Sequence, residues 1–264
     1  MSGFKSRATR KAKEIAKRLI AAWRSAFLSY PKRVNCNVCR WTGRSFLTDP
    51  WHENVICPAC GSGVRHRLPF AAFQNLDELS FDRLIRGKRV LHFAPERILG
   101  RHFANLAGTY VTADFFHTEY DLQLDMSNMF QVEDGSFDAV IAFDVLEHVP
   151  DYQKALEEVH RILCSGGFAI FTLPQKDHLA ITFEDPTIVT EEGRLKHFGQ
   201  VDHLRIFGDD FPATFERKGF SVSSIDESRF PEEMRSRYVL SPPVLSENPL
   251  ATNFRKVFFG QKVS

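Results

Sequence analysis

The stretch Asp138-Ala139-Val140-Ile141-Ala142-Phe143, followed at once by Asp144-Val145-Leu146-Glu147-His148, decides how this chain folds. An almost unbroken apolar run of this length suits a strand buried on both faces, as in parallel sheets. The acid at its end marks where the strand leaves the core. Residues 151–163 then read as a helix, with Asp151 as N-cap, Leu156, Val159 and Leu163 on one face, and Ser165-Gly166-Gly167 as terminator. A further strand follows in Phe168-Ala169-Ile170-Phe171-Thr172-Leu173, ended by Pro174. Working outward, Arg89-Val90-Leu91-His92-Phe93 and Thr109-Tyr110-Val111-Thr112-Ala113-Asp114 read as earlier strands, and 220–225 and 254–262 as late ones. Residues 75–86 suggest a connecting helix, and 228–250, with four prolines, an irregular insertion. Strands alternating with helices predict an α/β fold, a mainly parallel sheet covered on both faces.

The length of 264 residues accommodates one such domain with a small appended module. Phenylalanine is abundant, 25 residues against 5 Tyr and 3 Trp, and is assigned to packing. The net charge of +1 conceals an asymmetry: residues 1–33 hold ten Lys or Arg against the single acid Glu14, so that segment carries +9 and the remainder −8. Residues 5–30 read as a basic amphipathic helix, with Ile15, Leu19, Ala22, Trp23, Ala26 and Phe27 at helical spacing. Such a helix can lie on an anionic membrane surface, grip nucleic acid, or dock its apolar stripe on its own protein. No apolar run approaches the roughly 20 residues a transmembrane segment needs. Leu19-Ile20-Ala21-Ala22-Trp23, with arginine directly after it, makes a poor signal peptide. The expected location is therefore cytoplasmic, with the basic helix able to hold the protein at the inner membrane face.

Residues 34–70 form a cysteine module. Cys36-x2-Cys39 and Cys57-x2-Cys60, 17 residues apart, have the spacing of a zinc ribbon. Each tight turn presents two sulfurs to one ion, and two turns complete a tetrahedron. A closed four-sulfur shell leaves no position for water, so Zn²⁺ here would be structural; two unrelated redox pairs are the alternative. Arg40, Arg44, Arg65 and Arg67 could offset the thiolate charge, and His52 and His66 read as surface residues. Residues 71–264 constitute the main domain.

That domain carries an ordered set of signals. A strand ends at Phe93 and meets Ala94-Pro95-Glu96; about twenty residues later a second ends in Asp114; then come Leu124-Asp125-Met126, the strand into Asp144-Val145-Leu146-Glu147-His148, and Leu163-Cys164-Ser165-Gly166-Gly167. This order resembles the class I S-adenosylmethionine-dependent methyltransferases, in particular the type 11 group, over residues 88–173. The resemblance implies a Rossmann-like, doubly wound, seven-stranded sheet with S-adenosyl-L-methionine as cofactor. Asp114 would bind the ribose hydroxyls, Asp125 the adenine amino group with Met126 packing on the ring, and Phe143 and Asp144 would lie near the methionine part and the methyl group. Taken singly, Asp114 and Asp125 could equally be turn carboxylates at strand ends. The family's usual first loop is glycine-rich, whereas His92-Phe93-Ala94-Pro95-Glu96-Arg97 contains no glycine. With the paired cysteines, Gly61-Ser62-Gly63-Val64-Arg65-His66-Arg67 and Phe198-Gly199-Gln200-x-Asp202-His203, this loop is similar to a bacterial subgroup in which Ala-Pro-Glu replaces the glycines, making Glu96 a partner for the cofactor's amino group.

Methyl transfer depends mainly on positioning, so the core motifs leave the acceptor open. Polar stretches after Pro174 (Gln175 to His178, 182–186 and 197–203) lie where an acceptor pocket belongs. His203 with Asp202, or His148 beside Glu147, could serve as base; helix caps and solvent-facing loops are the alternative for each. A metal held by His178, His197 and His203 lacks ligand spacing. Three functions fit: a methyltransferase for a small-molecule or saccharide acceptor, an RNA methyltransferase gripping its substrate with ribbon and basic arm, and a non-catalytic binding protein of the same fold. The net acidic body beyond residue 33 speaks against the second.

Overall fold

The structure, a computed structural model, describes residues 33–263. The basic helix expected over 5–30 lies outside the described residues. Strand β6 (Phe137–Phe143) is the centre of the molecule because its side chains feed both faces of the sheet. Val140 and Ala142 point into one core, with Leu91, Phe93, Ala169 and Phe171. Ala139, Ile141 and Phe143 point into the other, with Val90, Ile170 and Phe259. Period-two alternation between two buried cores explains the unbroken apolar run.

β6 pairs in parallel with β3 (Arg89–Phe93) on one side and β7 (Leu163–Thr172) on the other. Around them lie β4 (Thr109–Asp114), β5 (Leu122–Gln123), β10 (Phe220–Ile225) and β11 (Val257–Lys262), in the order β10-β11-β7-β6-β3-β4-β5. Only β11 runs against its two neighbours. The expected Rossmann-like, doubly wound, seven-stranded sheet is present. The chain leaves β3 toward β4 and returns at β6, so the carboxyl ends of β3 and β6 flank the switch point where such sheets bind ligands.

Helix α4 (Tyr152–Ile162) starts as the sequence predicts: the Asp151 side chain accepts from the Lys154 N–H at 2.9 Å. Its end differs. Ser165-Gly166-Gly167 does not terminate it but lies inside β7, which begins at Leu163. Gly166 adopts φ +71°, and a Cβ on Gly167 would lie 3.0 Å from the Cys164 carbonyl, so the pair permits the register shift between β6 and β7. The connecting helix over 75–86 also gives way to other elements: α1 (Val64–Asn75) comes earlier, and that range holds a 3-10 turn (Asp77–Leu79) and the single turn α2 (Phe81–Leu84). Residue 70 therefore lies within a helix shared by the cysteine module and the sheet's outer layer. α3 (Arg97–Leu106) follows β3. The proline-rich segment is not wholly irregular, since it holds α7 (Glu232–Tyr238), preceded in the chain by α5 (Glu191–Phe198) and α6 (Phe211–Glu216). Among the described residues no helix is long and apolar enough to cross a membrane.

The phenylalanines fill both layers. Phe211, Phe215, Phe220 and Phe258 stack around one side of β11, and Phe73, Phe81, Phe103 and Phe259 around the other. Phe215 lies against the bare backbone of Gly260, where an added Cβ would come 2.2 Å from the ring. Gly260→Ala is expected to cost about 1–3 kcal/mol through overpacking. A thermal melt should show a midpoint several degrees lower, whereas an unchanged midpoint would mean that the ring moves freely.

Candidate active site

The rim at the carboxyl ends of β3, β4 and β6 gathers the residues singled out in the sequence. After Phe93, Ala94 takes φ +42°, the left-handed turn that a glycine would ordinarily supply, and its N–H bonds the Ala113 carbonyl at 2.8 Å. The loop thus makes the tight turn without glycine. Pro95 leads to Glu96, which sits at the start of α3. Its carboxylate meets His66 Nε2 at 3.2 Å and lies 3.7 Å from the buried His92 Nε2. Burial works against the Glu96 charge, but His66 and His92 outweigh it and hold the carboxyl at about 2.

Asp114 closes β4, and its Oδ1 accepts from the Phe116 and His117 N–H groups, both at 2.8 Å. Asp125 accepts from the Ser127 N–H and hydroxyl in the same manner, and Met126 is buried beside it. Each acid therefore braces its own turn through a single oxygen. Phe143 is buried under the rim, edge-on to His92.

Asp144 is the most heavily bonded residue of the rim. It turns with φ +51°, receives the Thr172 hydroxyl at 2.8 Å, and is gripped by Arg65 at 3.0 Å and Arg255 at 3.0 and 3.1 Å. Burial would raise its pKa, but the two guanidiniums hold it well below the usual carboxylate range. Just beyond, Glu147 is fully buried, and burial followed by the Asp144 charge pushes its carboxyl upward. His148 and His203 both approach it, each with Nε2 at 3.9 Å from Glu147 Oε1. Asp202 lies 3.4 Å from His148 Nδ1. Burial, then the neighbouring His148, lowers the pKa of His203 to about 4. The two candidate bases, His148 and His203, thus come together, with Asp202 pairing with His148 rather than with His203, whereas His178 and His197 stay apart: His178 packs by Phe254, and His197 by Phe183. Buried Arg205, unremarked in the sequence, donates to the Leu146, Val149 and Pro150 carbonyls and fixes this loop.

The four cysteines also converge. β1 (Val34–Asn35) and β2 (Thr42–Gly43) frame the first pair, and the Cys36–Cys60 and Cys39–Cys57 sulfurs are each 3.7 Å apart. All four form one potential metal-binding group. Of the four arginines named for charge balance, Arg67 does the work: it is fully buried, donates to the Ser62, Tyr238 and Val239 carbonyls, and feels all four cysteines. Arg65 turns instead to Asp144. His66 and His52 are not surface residues. His66 is buried between Gly63 and Glu96, and His52 Nε2 meets Asn253 at 3.0 Å. A cavity of about 280 Å³ opens between the module and the rim, lined by Trp51, His52, Arg65, His66, Gln200 and Arg255 among others.

The family model described as "Methyltransferase domain" matches residues 88–171, the span from β3 to β7. The match covers about a third of the chain. No curated protein matches it. Among solved structures it is similar to an S-adenosylmethionine-dependent methyltransferase from Mesorhizobium loti, at 14% identity over 76% of this chain and 100% of that one, TM-score 0.49. It is also similar to the 1,6-didemethyltoxoflavin N1-methyltransferase of Burkholderia thailandensis, solved with S-adenosylhomocysteine, at 13% identity over 76% and 79%, TM-score 0.48. Likeness at this level identifies no acceptor.

The Glu96 cluster gives a pH test. A carboxyl held at about 2 when folded, below its ordinary value near 4.3 when unfolded, stabilises the fold above roughly pH 4.5 and loses that contribution as pH falls toward 2. Without added cofactor, Glu96→Gln should lower stability by on the order of 1–3 kcal/mol near neutral pH, with the gap narrowing in acid. Denaturant midpoints across pH measure this, and a constant gap would contradict it.

Proposed function

We propose that this protein transfers a methyl group from S-adenosyl-L-methionine to a small polar acceptor, of the saccharide or small-molecule class, held between the cysteine module and the rim. The observation that carries the reading is the coincidence of the methyltransferase-domain match with acidic strand ends at the sheet's switch point. When bound, the cofactor supplies an electrophilic methyl carbon with a neutral thioether as leaving group. Asp114 would hold the ribose hydroxyls with the oxygen its own turn leaves over, and Asp125 the adenine amino group above Met126. Ala94, Pro95 and Glu96, following Phe93, would border the methionine end, Glu96 receiving the ammonium. Phe143 and Asp144 would flank the reacting centre.

Arg65 and Arg255 both bond Asp144 and line the 280 Å³ cavity, so the acceptor would meet two guanidiniums beside Trp51 and Gln200. Cations and an aromatic face suit an anionic or polyhydroxylated molecule of modest size. His148, partly open to solvent and paired with Asp202, would take a proton from an acceptor hydroxyl or amine, with His203 beside it. Zn²⁺ fits the four sulfurs, and its role would be to fix the N-terminus of α1, which delivers Arg65 and His66 to the rim.

Calorimetry should show S-adenosylmethionine and S-adenosylhomocysteine binding, weakened about tenfold or more by Asp114→Ala. Absence of heat with the wild-type chain would favour a non-catalytic binding protein. Labelled-methyl transfer to fractionated extract should enter the small-molecule or saccharide pool, and label confined to RNA would overturn the acceptor assignment. Elemental analysis should find about one zinc per chain, lost with Cys57→Ser together with a large drop in melting temperature.

A further inference from the structure

The loop after β6 and the segment before β9 (Arg205–Ile206), the partner of β8 (Phe183–Glu184), bring together three side chains whose ligating atoms lie within 4.8 Å of one another: Glu147, His148 and His203. Their hydrogen bonding is unusual. His203 Nδ1 lies 3.2 Å from the Phe198 carbonyl, and His148 Nδ1 lies 3.3 Å from the Asp202 carbonyl and 3.4 Å from its carboxylate. Those partners only accept, so each Nδ1 carries the proton and each Nε2 presents a lone pair. Each Nε2 lies 3.9 Å from Glu147 Oε1. With Glu147 ionised, three acceptors therefore face one another without a donor among them. Glu147 Oε2 and His203 Nε2, on residues 1% and 2% exposed, have no hydrogen-bond partner among the described residues. Unpaired polar atoms this deeply buried are costly unless a cation joins them.

We propose that Glu147, His148 and His203 form a site for a divalent first-row transition-metal ion, separate from the four-cysteine cluster. Two imidazoles and one carboxylate are the donors such ions prefer, and His Nδ1 groups tied to carbonyl or carboxylate oxygens are the usual outer support of metal-binding histidines. An ion with ligand distances of about 2.0–2.2 Å holds its ligands roughly 3–3.5 Å apart, so the 3.9 Å separations need to close by only about half an ångström. The loops are braced for this purpose: the Leu204 N–H bonds the Glu147 carbonyl at 2.9 Å, and Arg205 clamps the carbonyls on either side of the Glu147-His148 pair. His148 is about a third exposed, so the ion keeps positions open toward solvent, and with the ion on its Nε2 His148 is a ligand in place of a base. The competing occupant is a proton shared between Glu147 and a histidine.

Cobalt(II) titration of the full chain, its cysteines already loaded with zinc, separates the two. The expected result is about one further ion per chain after dialysis, with weak visible bands and none of the intense sulfur-to-metal absorption of a cysteine site. Glu147→Gln and His203→Ala should each weaken cobalt binding by at least about 10–100-fold. So should His148→Gln, at an exposed position where folding is safe and a melt can verify it. No cobalt uptake beyond the cysteines, or uptake unchanged in His148→Gln and Glu147→Gln, would overturn the site in favour of the proton. Ion binding is read without cofactor or acceptor, so its failure and that of the methyl-transfer reading are distinguishable.

Discussion

A carboxylate at the end of a buried central strand must be paired, and Asp144 shows what that requirement organises. It sits at the tip of β6 in a left-handed turn, with one arginine from the start of α1 and another from the segment before β11. Removing either guanidinium would leave a buried charge short of a partner, which is far costlier than breaking a surface pair. Through this contact the cysteine module, the β6 corner and the antiparallel strand β11 are held in one geometry.

The cysteine module is best understood from this contact. Its sulfurs, with Arg67 inserted among backbone carbonyls, anchor the first turn of α1. The next residues on that turn reach the two positions the rim most needs held, Asp144 through Arg65 and Glu96 through His66. In the common glycine-rich loop the backbone itself approaches the ligand. Here the loop has Ala94 in a strained turn and a side-chain relay behind it, so the rim borrows rigidity from the neighbouring four-cysteine unit.

Much of this was legible in the sequence. The apolar run into Asp144 placed the central strand, the Asp151 cap placed α4, and the CxxC spacing placed the sulfurs, because each rests on local chemistry with a fixed period or spacing. Elements decided by tertiary contact were not legible. Ser165-Gly166-Gly167 has the composition of a helix stop, yet sheet pairing draws it into β7. Helix α1 was hidden by Pro69 and by a buried His66 and Arg67, polar residues in a helix that is buried nearly all round. The partners of Asp144 are separated from it by 79 and 111 residues, so no local pattern could join them. Gly63 followed by Val64-Arg65-His66-Arg67 was the available signal: two arginines around a histidine opening a buried helix require acceptors, which are Asp144 for Arg65, Glu96 for His66 and backbone carbonyls for Arg67.

The account stands on an adenosyl group seated over β4 with its sulfur end turned toward β6. A crystal structure of the complex with S-adenosylhomocysteine tests this most directly. The expected density places the ribose hydroxyls on Asp114 and the sulfur beside Phe143 and Asp144, with Arg65 and Arg255 still in place. Density at another surface, with the β4 end closed by side chains, would contradict it and leave the fold without its assigned chemistry.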